Sequence, residues 1–232
     1  MNKIKYFALI PTKSTELKQV TKDLLSYLAS AGVETILLPN KKSIFSAYTE
    51  GLNLIKEKNP DPDSVVILCH DDIEILNKHT HFREQLSLVA FNPRYGFVGP
   101  AGTTFLGENA TWWDHQVWQQ GYHSGFVMHG TKINQHTTFY GDYKQVVVLD
   151  GLFLAARYQT LCDIKIQRPE SFPGMWDFYD IYYTMQTHKM GLHNRTLPFF
   201  IRHESMGELA GRDSWHKNRE AFQKMYNLPE KI

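Results

Sequence analysis

The sequence is poor in cysteine, with only Cys69 and Cys162 in 232 residues. Two thiols cannot build a disulfide framework. Both sit among apolar neighbours, so they read as reduced core thiols, and the expected compartment is the cytoplasm. Long apolar runs are missing too. Stretches such as Val65–Cys69 and Val146–Leu149 are far too short to cross a bilayer, so no transmembrane segment is expected. The opening MNKIKYFALIPTK lacks an adequate apolar core and a small-residue cleavage site, and reads as a first strand rather than a signal peptide. An excess of one charge is also lacking. Lys+Arg 25 against Asp+Glu 24 gives a net charge of +1, which argues against a nucleic-acid partner.

Motifs of several common enzyme classes are absent. There is no Walker-type Gly-rich loop, and no G-x-G-x-x-G follows the first strand. Neither G-x-S-x-G nor H-E-x-x-H occurs. None of the eleven histidines pairs with cysteine at zinc spacing. Asn109-Ala110-Thr111 and Asn194-Arg195-Thr196 match the glycosylation pattern but read as chance matches without a secretory signal.

What is present begins with alternation. Ile4–Ile10 reads as a strand closed by Pro11, and residues 14–31 as a helix with Leu17, Val20, Leu24, Leu25 and Leu28 on one stripe, stopped at Gly32. Val33–Leu38 reads as a strand and 43–58 as a helix. A Pro-rich loop over 59–63 then leads to Val65–Cys69, a continuous apolar strand of the kind buried on both faces of a parallel sheet. This alternation predicts an α/β fold. A helix over 79–90 and a strand over Tyr95–Val98 follow. Residues 99–145, rich in Gly, aromatics and His, read as loops and short strands forming a binding surface. Val146–Ala156 reads as one strand, 176–190 as a helix, Leu197–Arg202 as a strand and 213–226 as a terminal helix. No repeat or linker divides the chain, so one domain over 1–232 is expected.

Four groups of residues carry chemistry. His70-Asp71-Asp72 directly follows the Val65–Cys69 strand, where ligands of open α/β sheets bind. It reads either as a divalent-cation site or as a strand-end turn whose aspartates cap the next segment. Asp180, with Asp177 three residues before it on the expected helix, reads as a general base or as acidity complementing a helix N-terminus. His203, at a strand's carboxyl end, reads as a metal ligand or a structural imidazole. Asp150-Gly151, inside an apolar strand, reads as a ligand-approach point or one end of a satisfied ion pair.

The order of these groups resembles the GT-A glycosyltransferases, in particular the family-2-like group of small bacterial-type enzymes, over about Lys3 to Tyr226. Ser43–Gly51 (SIFSAYTEG) is similar to that group's "siaxAyNxG" segment, with Thr49 in place of Asn. Cys69–Ile73 (CHDDI) is similar to its "HxDv" motif. Asn92–Thr103 (NPRYGFVGPAGT) resembles "GvvGxaG" and is followed by Trp112 and Trp113. His203–Gly207 (HESMG) resembles "HxSxG".

The resemblance implies a nucleotide-diphospho-sugar transferase fold, a Rossmann-like mixed sheet flanked by helices. It implies a nucleotide-binding half over 1–98 and an acceptor- and sugar-binding half over 99–232. It implies Asp72 and His203 as ligands of Mn²⁺ or Mg²⁺, and Pro11, Tyr48, His70, Asp71, Asp150 and Gly151 around the nucleotide-sugar, with UDP favoured. His70 stands where many members have the first Asp. Asp180 is implied as catalytic base, with Tyr182 where many members carry a second acid. Trp112 and Trp113 are candidates for acceptor contact or for core packing. The implied activity is metal-dependent glycosyl transfer (EC 2.4 class) to a glycan, lipid-linked or protein acceptor. Two alternatives stand beside it: a non-catalytic nucleotide-sugar-binding protein on the same scaffold, and a metal-dependent nucleotide-sugar phosphohydrolase.

Overall fold

The computed structural model describes residues 4–205 and 213–232. In chain order the first half contains β1 (Tyr6–Thr12), α1 (Gln19–Ser30), β2 (Glu34–Pro39), α2 (Ile44–Glu57), β3 (Val65–Cys69), β4 (Ile73–Ile75), α3 (His79–Ala90) and β5 (Tyr95–Gly99). Then come β6 (Ala101–Thr103), β7 (Phe105–Leu106), α4 (His115–Gln119), β8 (His123–Gly130), β9 (Gln135–Gly141), β10 (Gln145–Val146), β11 (Val148–Leu149) and β12 (Phe153–Arg157). The chain closes with α5 (Tyr158–Asp163), α6 (Tyr179–Lys189), β13 (His193–Thr196), β14 (Ile201–His203), α7 (Asp213–Met225) and β15 (Glu230–Lys231).

The main sheet runs β10–β13–β5–β12–β3–β1–β2. β1 is parallel to β2 and β3, and β12 is antiparallel to β3, so the sheet is mixed. β1 and β3 are buried along their whole length, which is why their sequences are apolar without alternation. Pro11 costs the sheet little, because β3 pairs only as far as Leu9 and leaves no partner for the missing N–H on that side. A second sheet, β11–β6–β8–β14–β4, carries β9 as a hairpin partner of β8.

Helices cover the main sheet. α2 begins with a capping box in which Ser43 accepts from the Ser46 N–H at 3.0 Å, and it buries Phe45, Tyr48 and Ile55. It sits so close to β1 that a Cβ at Gly51 would lie 2.7 Å from Leu9 Cδ2. α6 is buried nearly all round, packed on β5 and β13 of the main sheet and on β11 of the second.

Several elements differ from the sequence reading. The expected helix over 14–31 begins at Gln19, because the Thr12 and Ser14 hydroxyls bond to nearby backbone and hold a loop. The single strand expected over Val146–Ala156 breaks at Asp150–Leu152. The chain leaves the second sheet there and enters the main one, so Asp150 ends a strand instead of standing inside it. The strand expected over Leu197–Arg202 is the shorter β14, with β13 as a separate strand before Pro198. Asp177 precedes α6, and Phe178 between it and the helix takes φ +69°, so Asp177 and Asp180 do not share a helix face. Cys69 is buried as expected, but Cys162 is exposed on α5.

Asn194 of β13 is fully buried and uses its whole amide. Oδ1 accepts from the Phe97 N–H (2.9 Å) and Thr187 Oγ1 (2.7 Å), while Nδ2 donates to the carbonyls of Val147 (2.8 Å) and Thr184 (2.6 Å). This side chain joins α6 to two strands, and its burial leaves no room for a glycan. Asn194→Ala should destabilise the protein by about 3 kcal/mol, since it strands several buried polar groups. Urea unfolding checks this, and a loss below ~0.5 kcal/mol would contradict it.

Candidate functional site

The site forms where chain ends meet at the carboxyl edge of β3. His70 follows β3 directly, and its N–H donates to the Leu152 carbonyl at 3.1 Å, which fixes the Asp150–Gly151 turn beside it. β14 pairs antiparallel with β4 and sets His203 opposite Ile73. The Glu204 N–H then donates to the Asp72 carbonyl at 2.9 Å. Residues 133 positions apart are thereby brought into contact: His70 Nδ1 lies 3.2 Å from His203 Nε2. Asp72 Oδ1 is 3.3 Å from the same nitrogen.

His70, Asp72 and His203 each offer a ligand atom, and these atoms lie within 4.8 Å of one another. No other group of described residues does so with three or more ligands. Two imidazoles and a carboxylate suit a divalent transition ion. The tautomer of His70 favours this use. Tyr179 Oη spends its proton on the Gly151 carbonyl (2.8 Å), so it accepts from His70 Nε2 (2.9 Å). The proton of His70 therefore sits on Nε2, and Nδ1 presents its lone pair towards His203 and Asp72.

Electrostatics agree with this set. Burial, helped by the neighbouring His203, lowers the His70 pKa to about 4, so the ring is neutral. Burial opposes ionisation of Asp72, but the hydrogen bond and charge of His203 outweigh it and bring the carboxyl down to about 2. His203 answers in the opposite sense. Burial disfavours its charge, yet Asp72 and Asp150 raise its pKa. Ser205 Oγ lies 3.0 Å from His203 Nε2 and completes the polar shell.

Asp180 occupies the first turn of α6, and its Oδ2 accepts from the Gly151 N–H at 3.0 Å. A Cβ at Gly151 would lie 2.5 Å from Tyr179 Oη and 2.8 Å from Asp180 Cβ, so only glycine fits here. Burial and the nearby Asp150 charge raise the Asp180 pKa to about 7. Burial raises that of Asp150 as well. No lysine or arginine pairs with Asp150 among the described residues, so it is not one end of an ion pair.

The cleft has two lobes that share His70, Trp176, His203 and Ser205. One, of about 340 Å³, is lined by Pro11, Tyr48 and Asp71 together with Asp72. The other, of about 410 Å³, holds Asp150, Gly151, Asp180, Trp112 and Trp113. Both volumes suit parts of a small ligand. Every site residue singled out in the sequence thus borders one lobe or the other, though Asp71 is not in the metal-competent group. Trp112 is buried against His123 and Tyr140, whereas Trp113 is half-buried. Met206 and Gly207 of the HESMG segment lie outside the described residues. Sequence reasoning did not single out Tyr179, Trp176, His129, Lys13 or Lys18, all of which line the cleft, and Ser205 entered only as part of the HESMG match. Tyr179 directly precedes Asp180, but nothing in the sequence signals its bond to His70.

A comparison with curated proteins finds no match. Among solved structures the chain is similar to A197 from STIV, at 14% identity, covering 84% of this chain and 82% of that one with a TM-score of 0.49. It is also similar to the inositol-1-phosphate CTP transferase from T. maritima, at 10% identity, 94% and 97% coverage and a TM-score of 0.39. A family model described as "Glycosyltransferase like family" matches residues 19–226. With its mixed sheet, flanking helices and ligand cleft at the carboxyl edge, the chain has a GT-A-type fold and belongs to this glycosyltransferase-like family.

Proposed function

We propose that the protein transfers a sugar from a nucleoside-diphosphate donor, UDP-sugar favoured, to an acceptor hydroxyl. The observation that carries this reading is the position of the His70–Asp72–His203 group at the junction of the two lobes, with Asp180 in the lobe beyond. Asp72, His203 and His70 would hold Mn²⁺ or Mg²⁺. That ion supplies positive charge against the diphosphate that leaves as the glycosidic bond breaks.

The chain's own residues do the rest. Pro11, Tyr48 and Asp71 border the nucleotide, in keeping with a nucleotide-binding half over 1–98 of a single domain. Lys13 and Lys18 of the same lobe add charge for the phosphates. Asp150 and Gly151 border the sugar, and Trp113, backed by Trp112, the acceptor within the half over 99–232. Asp180 takes the proton of the attacking hydroxyl. Its pKa of about 7 suits a base that must accept a proton near neutrality.

UDP should raise Tm only when Mn²⁺ is present, and Asp72→Ala should abolish that shift. Metal-independent stabilisation by UDP would count against the site, and acceptor-independent loss of UDP-sugar would favour a phosphohydrolase. Because two of the three ligands are imidazoles, Mn²⁺ should bind at least about tenfold more tightly than Mg²⁺ in a calorimetric titration, a preference a carboxylate-only site would not show. Asp180→Asn should keep Mn²⁺–UDP binding and lower the transfer rate by about 10²-fold or more. In the parent protein kcat/KM should climb with pH through about 7 as Asp180 loses its proton. A flat profile between pH 5.5 and 8.5 would remove Asp180 from the role.

The raised pKa also bears on stability. Folded Asp180 keeps its proton from 3.8 up to about 7, where the unfolded chain has lost it, so folding stability falls as pH rises through that window. Asp180→Asn should therefore raise Tm relative to the parent more at pH 8 than at pH 4. Equal shifts at the two pH values would show that Asp180 is not held protonated.

A further inference from the structure

Four of the five tryptophans, from three separate parts of the chain, border one lobe of the cleft: Trp112, Trp113, Trp176 and Trp215. Trp113 and Trp176 are the half-buried pair, so their faces are available. Trp113 is braced by Trp112 (ring centres 5.9 Å, T-shaped) and Trp215 (5.6 Å), and Trp112 in turn by Tyr140 (5.4 Å). Trp176 lies at the junction with the other lobe, beside His70 and His203.

The polar groups of this lobe have a particular character. No lysine or arginine lines it among the described residues, whereas the carboxylates of Asp150, Asp177 and Asp180 do. Arg219 stacks over Trp215 at 5.2 Å but does not line the lobe. The buried Nδ1 of His129 has no hydrogen-bond partner within the protein. The His129 ring lies 6.3 Å from that of His203 and borders the lobe, where it offers a hydrogen-bonding nitrogen. Thr138 adds a hydroxyl. Flat apolar faces suit the C–H face of a pyranose, and neutral donors with acidic acceptors suit its hydroxyls. An anionic sugar would meet the carboxyls of Asp150 and Asp180 and no lysine or arginine among the described residues. The other lobe differs in having two lysines, Lys13 and Lys18, beside the carboxylates of Glu16, Asp71 and Asp72.

We infer that the tryptophan-lined lobe takes an uncharged sugar as acceptor, so that the protein joins sugar to sugar and rejects uronate- or sialate-bearing acceptors. This rests on the transferase reading above, and the two can fail separately.

Tryptophan fluorescence reads the lobe directly. Methyl hexosides, methyl N-acetylhexosaminides and neutral disaccharides would be titrated against the protein, with and without Mn²⁺–UDP, beside methyl glucuronide and sialyllactose. At least one neutral sugar should give a saturable change, and each anionic counterpart should bind at least tenfold more weakly. Trp113→Ala should weaken the neutral sugar tenfold while Mn²⁺–UDP binding, which also reports a folded protein, stays as in the parent. Thr138→Arg should narrow the gap by improving glucuronide binding. Silence across the neutral panel, or anionic sugars binding as well as neutral ones, would overturn the inference. Loss of Mn²⁺–UDP binding with sugar binding retained would instead overturn the transferase reading alone.

Discussion

β14 pairs with β4 over only three residues, yet that pairing holds His203 over Asp72 and makes the site. Asp72 would otherwise be a part-buried carboxylate at a strand end, an expensive arrangement without a partner. His203 supplies the partner, and Ser205 and His70 converge on the same Nε2. Three acceptors around one imidazole N–H are more than a single proton satisfies. The surplus of lone pairs is what makes the group suited to a cation, which can take several donors at once.

The two lobes on either side of this junction differ in their charged residues. Lys13 and Lys18 stand in one beside Glu16, Asp71 and Asp72, whereas Asp150 and Asp180 stand in the other with no lysine or arginine among the described residues. Burial raises the pKa of both carboxyls, and the Asp150 charge raises that of Asp180 further, to about 7. On the proposed reading the diphosphate lies in the lysine-bearing lobe and the acceptor hydroxyl meets Asp180 in the other.

Much of this was legible from sequence because it rests on local pattern. Val65–Cys69 is apolar without interruption and is a strand with those ends; the helix at 79–90 likewise has those ends. The acidic strand end, His203 and Asp180 stand at element boundaries where ligands gather, and all border the cleft. What was not legible depends on long-range packing. Asp150 looked like a charge trapped within a strand, but the chain changes sheets there, which a linear pattern cannot reveal. The late start of α1 reflects hydroxyl-to-backbone bonds that compete with helix. Trp176 and Trp215 carry no periodic signal, because the turn before α6 and α7 bring them to the lobe that Trp113 borders, Trp215 in ring contact with it.

The backbone of Gly151, through the peptide groups on either side of its Cα, connects His70 to Asp180. Its carbonyl takes the Tyr179 hydroxyl proton, which leaves Tyr179 to accept from His70 and so sets the imidazole's tautomer. Its N–H holds Asp180 Oδ2. One backbone unit thereby positions a metal-competent lone pair and a carboxylate of raised pKa, and no side chain can be added at that position without moving Tyr179 or Asp180. On the proposed reading, base and cation must keep a fixed separation, to within about half an ångström, and both are tied to the backbone of this one residue. His70 and Asp180 are thus linked through three hydrogen bonds, with the Tyr179 side chain and the Gly151 backbone between them.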